Sequence, residues 1–283
     1  MQEKNTYGIT RRNALIGAAA SVAAIAASSA AAASTAGQPG EAKPAQDLAG
    51  KRALVTGASR GIGAGIALAL ADKGADVVIT YLNSPDRAAE VVRGIEAKGR
   101  RALAIRADSA DPAAVKRSIE EAVKGLGGLD ILVNNVGIAR DGAFVDMSLA
   151  DIDALMNVNA RAAVLASQAA IPHLKSGGRI VTVGSCVAER VPFPGLTVYS
   201  MTKSALLAFT RGLARELGPQ AITVNLVQPG PIDTDQNPAD GAWADINRSL
   251  TSLGRYGKPA RWSRWMRAST PESPCVGRSG WLK

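Results

Sequence analysis

Thr56-Gly57-Ala58-Ser59-Arg60-Gly61-Ile62-Gly63 is the stretch that decides the fold, because it joins the short apolar run beginning at Ala53 to an apolar helical run. Glycine at a strand-to-helix turn adopts backbone angles closed to other residues and lets the backbone approach a pyrophosphate. The N-terminus of the following helix offers free N–H groups and a positive dipole end to phosphates. The stretch therefore predicts a dinucleotide-binding turn in which Thr56, Gly57, Ser59, Arg60, Gly61, Ile62 and Gly63 contact the cofactor. Its spacing, Gly-x-x-x-Gly-x-Gly, is also compatible with a turn that is tight but binds no cofactor.

Outward from this turn, short apolar runs alternate with longer amphipathic runs. Strands are predicted at Ala53–Thr56, Asp76–Tyr81, Ala102–Ala107, Asp130–Asn134, Arg179–Gly184 and Thr223–Val227. Helices are predicted near Ile62–Lys73, Pro85–Lys98, Pro112–Leu126, Leu149–Leu174 and Tyr199–Leu217. Such alternation predicts one α/β domain, a doubly wound parallel sheet with helices on both faces.

The end of the second predicted strand selects between two nicotinamide cofactors. An acidic residue at this place binds the ribose hydroxyls and repels a 2′-phosphate. The run Val77–Pro85 contains no acid and offers Asn83 and Ser84 instead. Arg60, in the glycine-rich turn, can meet a 2′-phosphate with a charge-assisted hydrogen bond. The sequence therefore predicts NADP as the cofactor in preference to NAD.

A tyrosine and a lysine lie four residues apart at the start of a predicted helix, so both project from one face of it. They are Tyr199 and Lys203. A tyrosine of ordinary pKa, about 10, is a poor acid–base catalyst at neutral pH, whereas a nearby ammonium lowers that pKa. Ser185 follows the strand Arg179–Gly184, at the end of the sheet where ligands of open α/β folds bind. The pair alone is also compatible with an ordinary surface pair, but with Ser185 it predicts a site for carbonyl chemistry.

Several motifs in this order resemble a known family: Thr56–Gly63, Asn134-Asn135-Val136-Gly137, Asn157-Val158-Asn159, Ser185, Tyr199 with Lys203, and Pro229-Gly230. Over residues 48–259 the chain resembles the classical short-chain dehydrogenase/reductase family, especially its 3-oxoacyl-carrier-protein reductase-like members. Val136 departs from the alanine usual in that family. The resemblance implies a Rossmann-type fold, an NADP-dependent enzyme and a homo-oligomer, either a dimer or a tetramer.

The resemblance also implies a role for individual residues. Tyr199 would be the general acid in reduction, Ser185 would orient the carbonyl, and Lys203 would lower the pKa of Tyr199. Asn159 would help to position a proton-relay water, with the alternative that its amide merely satisfies a neighbouring carbonyl. Further cofactor contacts are implied for Asp108, Asn135, Gly137, Tyr199, Lys203, Pro229, Gly230, Ile232 and Thr234. For Asp108 the alternative is a helix or turn cap.

The substrate is expected to be a small molecule with a carbonyl or alcohol group. Cys186, Val187, Phe193 and Trp243, with Ser185 and Tyr199, are expected to surround that group, and the alternative is ordinary lid packing. They suggest an apolar or medium-sized substrate, such as a 3-oxoacyl thioester, a quinone-like ketone or a secondary alcohol. A polyol or a sugar is the alternative. The expected reaction is hydride transfer between nicotinamide and this carbon. Two other functions remain open, a non-catalytic NADP-binding regulatory protein and an interaction protein that uses the C-terminal tail.

Composition argues against other classes of function. Residues 1–33 and 255–283 contribute +2 and +6 of the net charge of +9, so residues 34–254 hold only +1. Aromatic residues make up 4% of the chain, too few for a base-stacking surface, so no nucleic-acid partner is expected. Two cysteines and one histidine, widely spaced, do not predict a metal site.

The two ends of the chain differ from its centre. Residues 1–33 pair Arg11 with Arg12 ahead of the apolar run Ile16–Ala33, which is typical of a twin-arginine signal and too weakly hydrophobic for stable membrane insertion. The sequence predicts export to the periplasm, with a cytoplasmic protein as the alternative, and a linker over residues 34–47. Residues 260–283 hold three of the four tryptophans and lack a strand pattern. We expect this tail to be the product of a reading-frame shift, with a genuine basic arm as the alternative, and the sheet to lack its usual final strand.

Overall fold

Six parallel strands form one sheet in the computed structural model, which describes residues 47–259. They are β1 (Arg52–Val55), β2 (Asp76–Tyr81), β3 (Ala102–Arg106), β4 (Ile131–Asn134), β5 (Arg179–Val183) and β6 (Thr223–Val227). Their order across the sheet is β3-β2-β1-β4-β5-β6. The order reverses between β1 and β4, and a crevice opens at such a reversal beyond the carboxyl ends of the strands. The predicted doubly wound sheet is confirmed.

Seven α-helices flank the sheet in the described part of the chain. They are α1 (Gly61–Asp72), α2 (Pro85–Glu96), α3 (Pro112–Leu126), α4 (Leu149–Leu155), α5 (Ala162–Ala170), α6 (Thr197–Leu217) and α7 (Ala244–Ser249). The single long helix predicted over Leu149–Leu174 is wrong in one respect. A π-helical segment, Met156–Arg161, separates α4 from α5, and a 3₁₀ turn at Ile171–His173 follows α5. The short helix α7 is absent from the predicted set.

Two hydrophobic cores, one on each face of the sheet, hold the strand ends in place. Because successive strand residues face opposite sides, Val55 of β1 belongs to the core under α1 and α2, while Leu54 belongs to the core under α3, α5 and α6. Both side chains are fully buried. Each such aliphatic side chain contributes roughly 1.5–3 kcal/mol on burial. The residues that follow β1, β4 and β5 therefore start from rigid positions.

The last described segment packs against the loop that follows β6. Gly257 forms a parallel bridge with Ile232, and the Asp233 amide donates to the Gly257 carbonyl at 2.9 Å. A Cβ atom on Gly65 of α1 would lie 2.6 Å from the carbonyl oxygen of Pro259, so the two segments touch. The loop after β6 is thus held in place by Gly257, which comes after it in the chain.

Some predictions concern residues outside the described part of the chain. These are the signal at 1–33, nearly all of the linker at 34–47 and the tail at 260–283. Within residues 47–259 the sheet has six strands and β3 and β6 are its edges. No helix of this part is both long enough and apolar enough to cross a membrane.

Candidate active site

The glycine-rich turn between β1 and α1 is closed by contacts with the neighbouring strands. Gly57 and Gly61 have φ angles of 62° and 56°, in the left-handed region that favours glycine. The Gly57 amide donates to the Thr80 hydroxyl at 3.0 Å, and the Asn135 side-chain amide donates to the Gly57 carbonyl at 3.0 Å. A Cβ atom on Gly63 would lie 2.5 Å from Nδ2 of Asn135. The turn therefore needs glycine at several positions and leaves the N-terminus of α1 facing the crevice.

A cavity of about 370 Å³ lies above this turn, at the carboxyl ends of the strands. The predicted cofactor residues that line it are Gly57, Ser59, Arg60, Gly61, Ile62, Gly63, Asn83, Ser84, Asp108, Asn135, Gly137, Tyr199, Lys203 and Thr234. Motifs separated by most of the described chain, from Gly57 to Thr234, thus meet around one groove. The residues predicted to bind the cofactor that do not line it are Thr56, Pro229, Gly230 and Ile232.

Thr56 is buried beneath the groove instead of facing it. Only 7% of the residue is exposed. Its hydroxyl accepts hydrogen bonds from the backbone amides of Asn135, at 3.0 Å, and Val136, at 3.2 Å. The residue therefore ties the end of β1 to the segment that follows β4. Its hydroxyl thus helps to shape the turn, and its contact with the cofactor stays a prediction.

The other three predicted residues that do not line the cavity lie in the segment after β6, and their contacts with the cofactor stay predictions. The Pro229 carbonyl accepts from the Cys186 amide at 3.0 Å, and Ile232 pairs with Gly257. Their backbones are thus occupied in holding the loop to its neighbours. Of the predicted residues in this segment, Thr234 reaches the groove, where its Cγ2 atom would lie 3.4 Å from a Cβ atom on Gly61.

The end of the groove beside β2 is lined by the polar residues predicted to contact adenosine. Ser84 stands at the N-cap position of α2, but its hydroxyl makes no capping hydrogen bond. Asp108 Oδ1 accepts from the Ala110 amide at 2.8 Å, so the turn cap considered for this residue is present. Both residues also line the cavity, as does Asn83. The described groove at this end contains no acidic side chain on the loop that follows β2.

At the opposite end, Tyr199 and Ser185 meet. Ser185 follows β5 with an extended backbone, and Tyr199 lies in the first turn of α6. Burial raises the pKa of the Tyr199 phenol, the hydrogen bond with Ser185 lowers it in part, and the nearby Cys186 raises it further. The sequence predicts a pKa lowered by Lys203, whereas the strongest influence in the structure has the opposite sign. The phenol is therefore held in its protonated form.

Lys203 points into the protein beneath Tyr199. The residue is 4% exposed, and its ammonium donates to the Val183 carbonyl at 3.3 Å. Its Nζ atom lies 5.8 Å from the centroid of the Tyr199 ring. Burial lowers the pKa of Lys203 to about 8. The ammonium thus remains charged at neutral pH and sits close to its titration point.

Asn159 lies in the π-helical segment and is 2% exposed. Its Oδ1 atom accepts from the Ile138 amide at 2.8 Å, while Nδ2 donates to the Ile138 carbonyl at 2.9 Å and to the Thr202 hydroxyl at 3.2 Å. The alternative considered for Asn159, an amide that satisfies a neighbouring carbonyl, is therefore present. A Cβ atom on Gly137 would lie 3.2 Å from Nζ of Lys203 and 3.4 Å from Oδ1 of Asn159. The amide and the ammonium thus approach the same glycine.

Of the predicted substrate residues, Tyr199 lines the cavity, whereas Ser185, Cys186, Val187, Phe193 and Trp243 do not. Cys186 and Val187 form a 3₁₀ turn after Ser185, and Cys186 is exposed at the surface although partial burial of its thiol raises the pKa. Phe193 and Trp243 come from different loops and their rings are parallel, with an interplanar angle of 3° and centroids 5.8 Å apart. The structure brings this aromatic pair together.

Three consecutive residues, Thr234–Gln236, span the groove. Of these, the sequence predicts a role only for Thr234. We call Thr234–Gln236 the spanning segment. The side-chain amide of Gln236 donates to the Gly137 carbonyl at 3.5 Å. The Asp235 carboxylate accepts a hydrogen bond from Arg87 of α2 and lies 3.7 Å from Nη1 of Arg60. The local sequence around Asp235 and around Arg87 does not indicate that these two residues meet.

Comparison with known proteins agrees with this architecture. The family model described as short chain dehydrogenase matches residues 51–245. The crystal structure of a short chain dehydrogenase from Burkholderia cenocepacia J2315 in complex with NADP is 56% identical in sequence. It aligns with a TM-score of 0.78, over 81% of this chain and 94% of that chain.

Two curated relatives extend the comparison. The cyclic-di-GMP-binding biofilm dispersal mediator protein of Escherichia coli (strain K12) is 43% identical over 210 residues, which is 74% of this chain and 85% of the relative. A versicolorin reductase of Emericella nidulans is 44% identical over 188 residues, which is 66% of this chain and 71% of the relative. Together with the parallel sheet, the glycine-rich turn and the meeting of Ser185, Tyr199 and Lys203, these matches show that the chain belongs to the short-chain dehydrogenase family.

Proposed function

We propose that this chain is an NADP-dependent oxidoreductase that transfers a hydride between nicotinamide and the carbon of a ketone or secondary alcohol. The observation that carries the proposal is the meeting of a protonated Tyr199, hydrogen-bonded to Ser185, with the buried ammonium of Lys203 beside the groove. The Burkholderia relative, which is 56% identical, was solved in complex with NADP. The NADP bound to this relative supports the choice of cofactor for this chain.

The residues of the groove fit NADP. The glycines of the turn allow a pyrophosphate to approach the backbone and the N-terminus of α1. Arg60, Asn83 and Ser84 line the end where a 2′-phosphate would lie, and no acid follows β2 to repel it. When bound, the nicotinamide supplies the hydride in reduction and accepts it in oxidation.

The side chains then divide the remaining work of reduction. The Tyr199 phenol, kept protonated by burial, donates its proton to the substrate oxygen as negative charge develops there. The Ser185 hydroxyl, which already bonds to Tyr199, can donate to the same oxygen and orient the carbonyl. The Lys203 ammonium stabilises the phenolate that remains, because opposite charges attract strongly in a buried site. A proton from solvent then restores the phenol.

For the substrate, we favour a flat aromatic ketone. The rings of Phe193 and Trp243, which are expected to surround the carbonyl group, are parallel and offer faces on which a planar ring can stack, a contact worth about 0.5–1.5 kcal/mol. A flexible 3-oxoacyl chain makes less use of two flat faces. The relative from Emericella nidulans is named a versicolorin reductase, which supports the same class.

The test is NADPH oxidation by the purified protein against a panel of bicyclic aromatic ketones, quinones, simple aliphatic ketones and 3-oxoacyl thioesters, with NADH in parallel. We expect turnover with NADPH that is fastest for the flat aromatic ketones. Faster turnover of the 3-oxoacyl thioesters would overturn the substrate class alone. Folded protein that binds NADPH but turns over no member of the panel would overturn the enzyme proposal in favour of a regulatory NADP-binding protein.

Export is a separate proposal that rests on the sequence of residues 1–33. Arg11 and Arg12 ahead of a weakly apolar run support a twin-arginine signal. Cell fractionation of the wild-type chain and of an Arg11→Lys, Arg12→Lys double variant tests it. We expect the wild type in the periplasm and the variant in the cytoplasm, and a wild type found in the cytoplasm would overturn the proposal.

The dimer or tetramer implied by the family resemblance stays a prediction. Light scattering on the purified chain measures its mass in solution directly. A mass of two or four chains is expected, and the mass of one chain would contradict it.

A further inference from the structure

Three charged side chains from separate elements meet at the adenosine end of the groove. Arg60 precedes α1, Arg87 lies in the first turn of α2, and Asp235 belongs to the spanning segment. The Asp235 carboxylate accepts a hydrogen bond from Arg87, and Nη1 of Arg60 lies 3.7 Å from the same oxygen. Each side chain is about half exposed. One carboxylate is therefore shared by two guanidinium groups that a ligand can still reach.

This cluster adjoins the residues expected to surround a 2′-phosphate. Arg60 and Asp235 line the cavity together with Asn83 and Ser84. Arg87 is only three residues beyond Ser84, at the positive end of α2. The hydrogen bond from Arg87, with the charges of Arg87 and Arg60, lowers the pKa of Asp235, so the carboxylate is ionised at neutral pH. The cluster holds two positive charges and one negative charge.

A phosphate monoester suits two guanidinium groups better than one carboxylate does. It carries a charge of about −1.5 to −2 at neutral pH and has three strong acceptor oxygens. Arginine binds such oxygens through paired, charge-assisted hydrogen bonds. The ionised carboxylate and the phosphate repel each other, so both cannot use the same arginines at full strength.

On the proposed use of NADP, we propose that Arg87 joins Arg60 in binding the 2′-phosphate and that Asp235 competes with this phosphate for the two arginines. Binding of NADP then replaces the ion pair between Arg87 and Asp235 by contacts to the phosphate. NAD has no phosphate at this position and leaves the ion pair in place. Arg87 and Asp235 are thus specificity-determining residues of opposite effect.

The competition also connects the two ends of the groove. Asp235 lies between Thr234, which approaches Gly61, and Gln236, which donates to the Gly137 carbonyl. When the phosphate replaces the ion pair, the spanning segment loses its contact with α2 and keeps its contact with Gly137. The 2′-phosphate therefore alters how the segment is held over the groove, and NAD does not.

Calorimetric binding to the full-length chain tests the inference with two pairs of ligands. NADPH is compared with NADH, and adenosine 2′,5′-bisphosphate with adenosine 5′-monophosphate, so each pair differs by the 2′-phosphate. Arg87→Gln should weaken the two phosphorylated ligands about tenfold, because it removes a charge-assisted hydrogen bond, and change the others less than about twofold. Asp235→Asn should tighten the phosphorylated ligands about threefold, as expected for an exposed charge interaction.

Matched controls carry the same charge changes elsewhere. Arg93→Gln removes an exposed arginine later in α2, and Asp240→Asn removes an exposed aspartate five residues beyond Asp235. Both should leave all four affinities within about twofold of wild type, since exposed charges at a distance are screened.

Two results would overturn the inference. One is an Arg87→Gln variant that binds the phosphorylated ligands as the wild type does, and the other is an Asp235→Asn variant that binds them more weakly. Equal changes for both members of a pair would likewise assign the residues to the fold and not to the phosphate. Failure of the wild type to prefer NADPH would instead overturn the proposed cofactor.

Discussion

The cofactor half and the substrate half of the groove are built in different ways. Beneath the cofactor half, Thr56 and Thr80 are 7% and 3% exposed, and their hydroxyls bond to the backbone of the turn and of the segment after β4. Among the predicted substrate residues, Trp243 is 55% exposed and its described ring contact is with Phe193 of another loop. The first half is held by the core, and the second is held by loop contacts. Changes in the two halves should therefore affect different measurements.

Removal of one hydroxyl at each end of the groove gives the largest expected contrast. Tyr199→Phe should lower the rate of ketone reduction by about 100-fold or more, because it removes the general acid. Tyr81→Phe makes the same chemical change at the end of β2, where Tyr81 lines the groove, and should leave the rate within about twofold. Steady-state NADPH oxidation measures both. A Tyr199→Phe variant that keeps a tenth of the wild-type rate would remove Tyr199 from its assigned role.

Addition of one methyl group should separate the rigid turn from an open helix surface. Gly63→Ala places Cβ 2.5 Å from Nδ2 of Asn135 and 2.8 Å from Cα of Ala58. We expect it to lower the free energy of unfolding by about 1–3 kcal/mol and to weaken NADPH binding, because the turn is overpacked. Gly212→Ala, in α6, meets nothing within 4 Å and should raise the free energy of unfolding by about 0.5–1 kcal/mol. Urea denaturation of both variants measures these changes in the free energy of unfolding. Changes of the same sign in the two variants would show that the turn can accommodate a methyl group.

The pH dependence of the reaction should depend on the buried Lys203. Its pKa is lowered to about 8, so the ammonium is present below that pH and is lost above it. The maximal rate of reduction should therefore be insensitive to this group near pH 7 and fall toward tenfold per pH unit above about pH 8. Tyr199 keeps its proton through this range, since burial raises its pKa. Rates at saturating NADPH from about pH 6 to about pH 10 test this, and a flat profile would contradict it.

The same group has the opposite effect on stability. Between a pKa of about 8 in the folded protein and the ordinary value of 10.5, the unfolded chain binds more protons at Lys203. Its contribution to the free energy of unfolding therefore rises with pH across this window. Rate and stability should move in opposite directions there, which distinguishes loss of the ammonium from alkaline unfolding.

The smallest effect is expected at the exposed aromatic pair. Trp243→Ala should raise the KM for a flat aromatic ketone about threefold to tenfold, because one stacking face is lost. The free energy of unfolding should change by less than about 0.5 kcal/mol, as is usual for an exposed side chain. Trp243→Phe keeps a ring and should recover most of the KM. An unchanged KM in the alanine variant would assign the pair to packing of the lid.

Local motifs predicted which residues of the glycine-rich turn and of α6 come together at the groove. The turn from Thr56 to Gly63, and the pair Tyr199 and Lys203, each lie within one strand-turn-helix unit or one helix, so their geometry follows from nearby sequence. The parallel, doubly wound sheet also follows from alternation of strands and helices, although this alternation does not determine the strand order. Thr56 shows the limit of this reasoning, because a motif residue can face the core and still be required for the turn.

Contacts between distant segments could not be predicted in the same way. Arg87 and Asp235 are 148 residues apart, and neither charge indicates its partner in the sequence. The direction of the pKa shift of Tyr199 depends on burial by surrounding loops, which a motif does not report. The π-helical segment likewise left no mark in the hydrophobic pattern of the predicted long helix.

That segment, Met156–Arg161, has a consequence for insertions and deletions. An α-helix turns about 100° for each residue, so removal of one residue from the widened turn would rotate one flank of it relative to the other. Either Asn159 would leave its bonds with Ile138, or the buried small residues of α5 would turn away from α3. The number of residues between α4 and α5 is therefore constrained even where their identities are free. Relatives that keep this active site should vary in composition here but not in length.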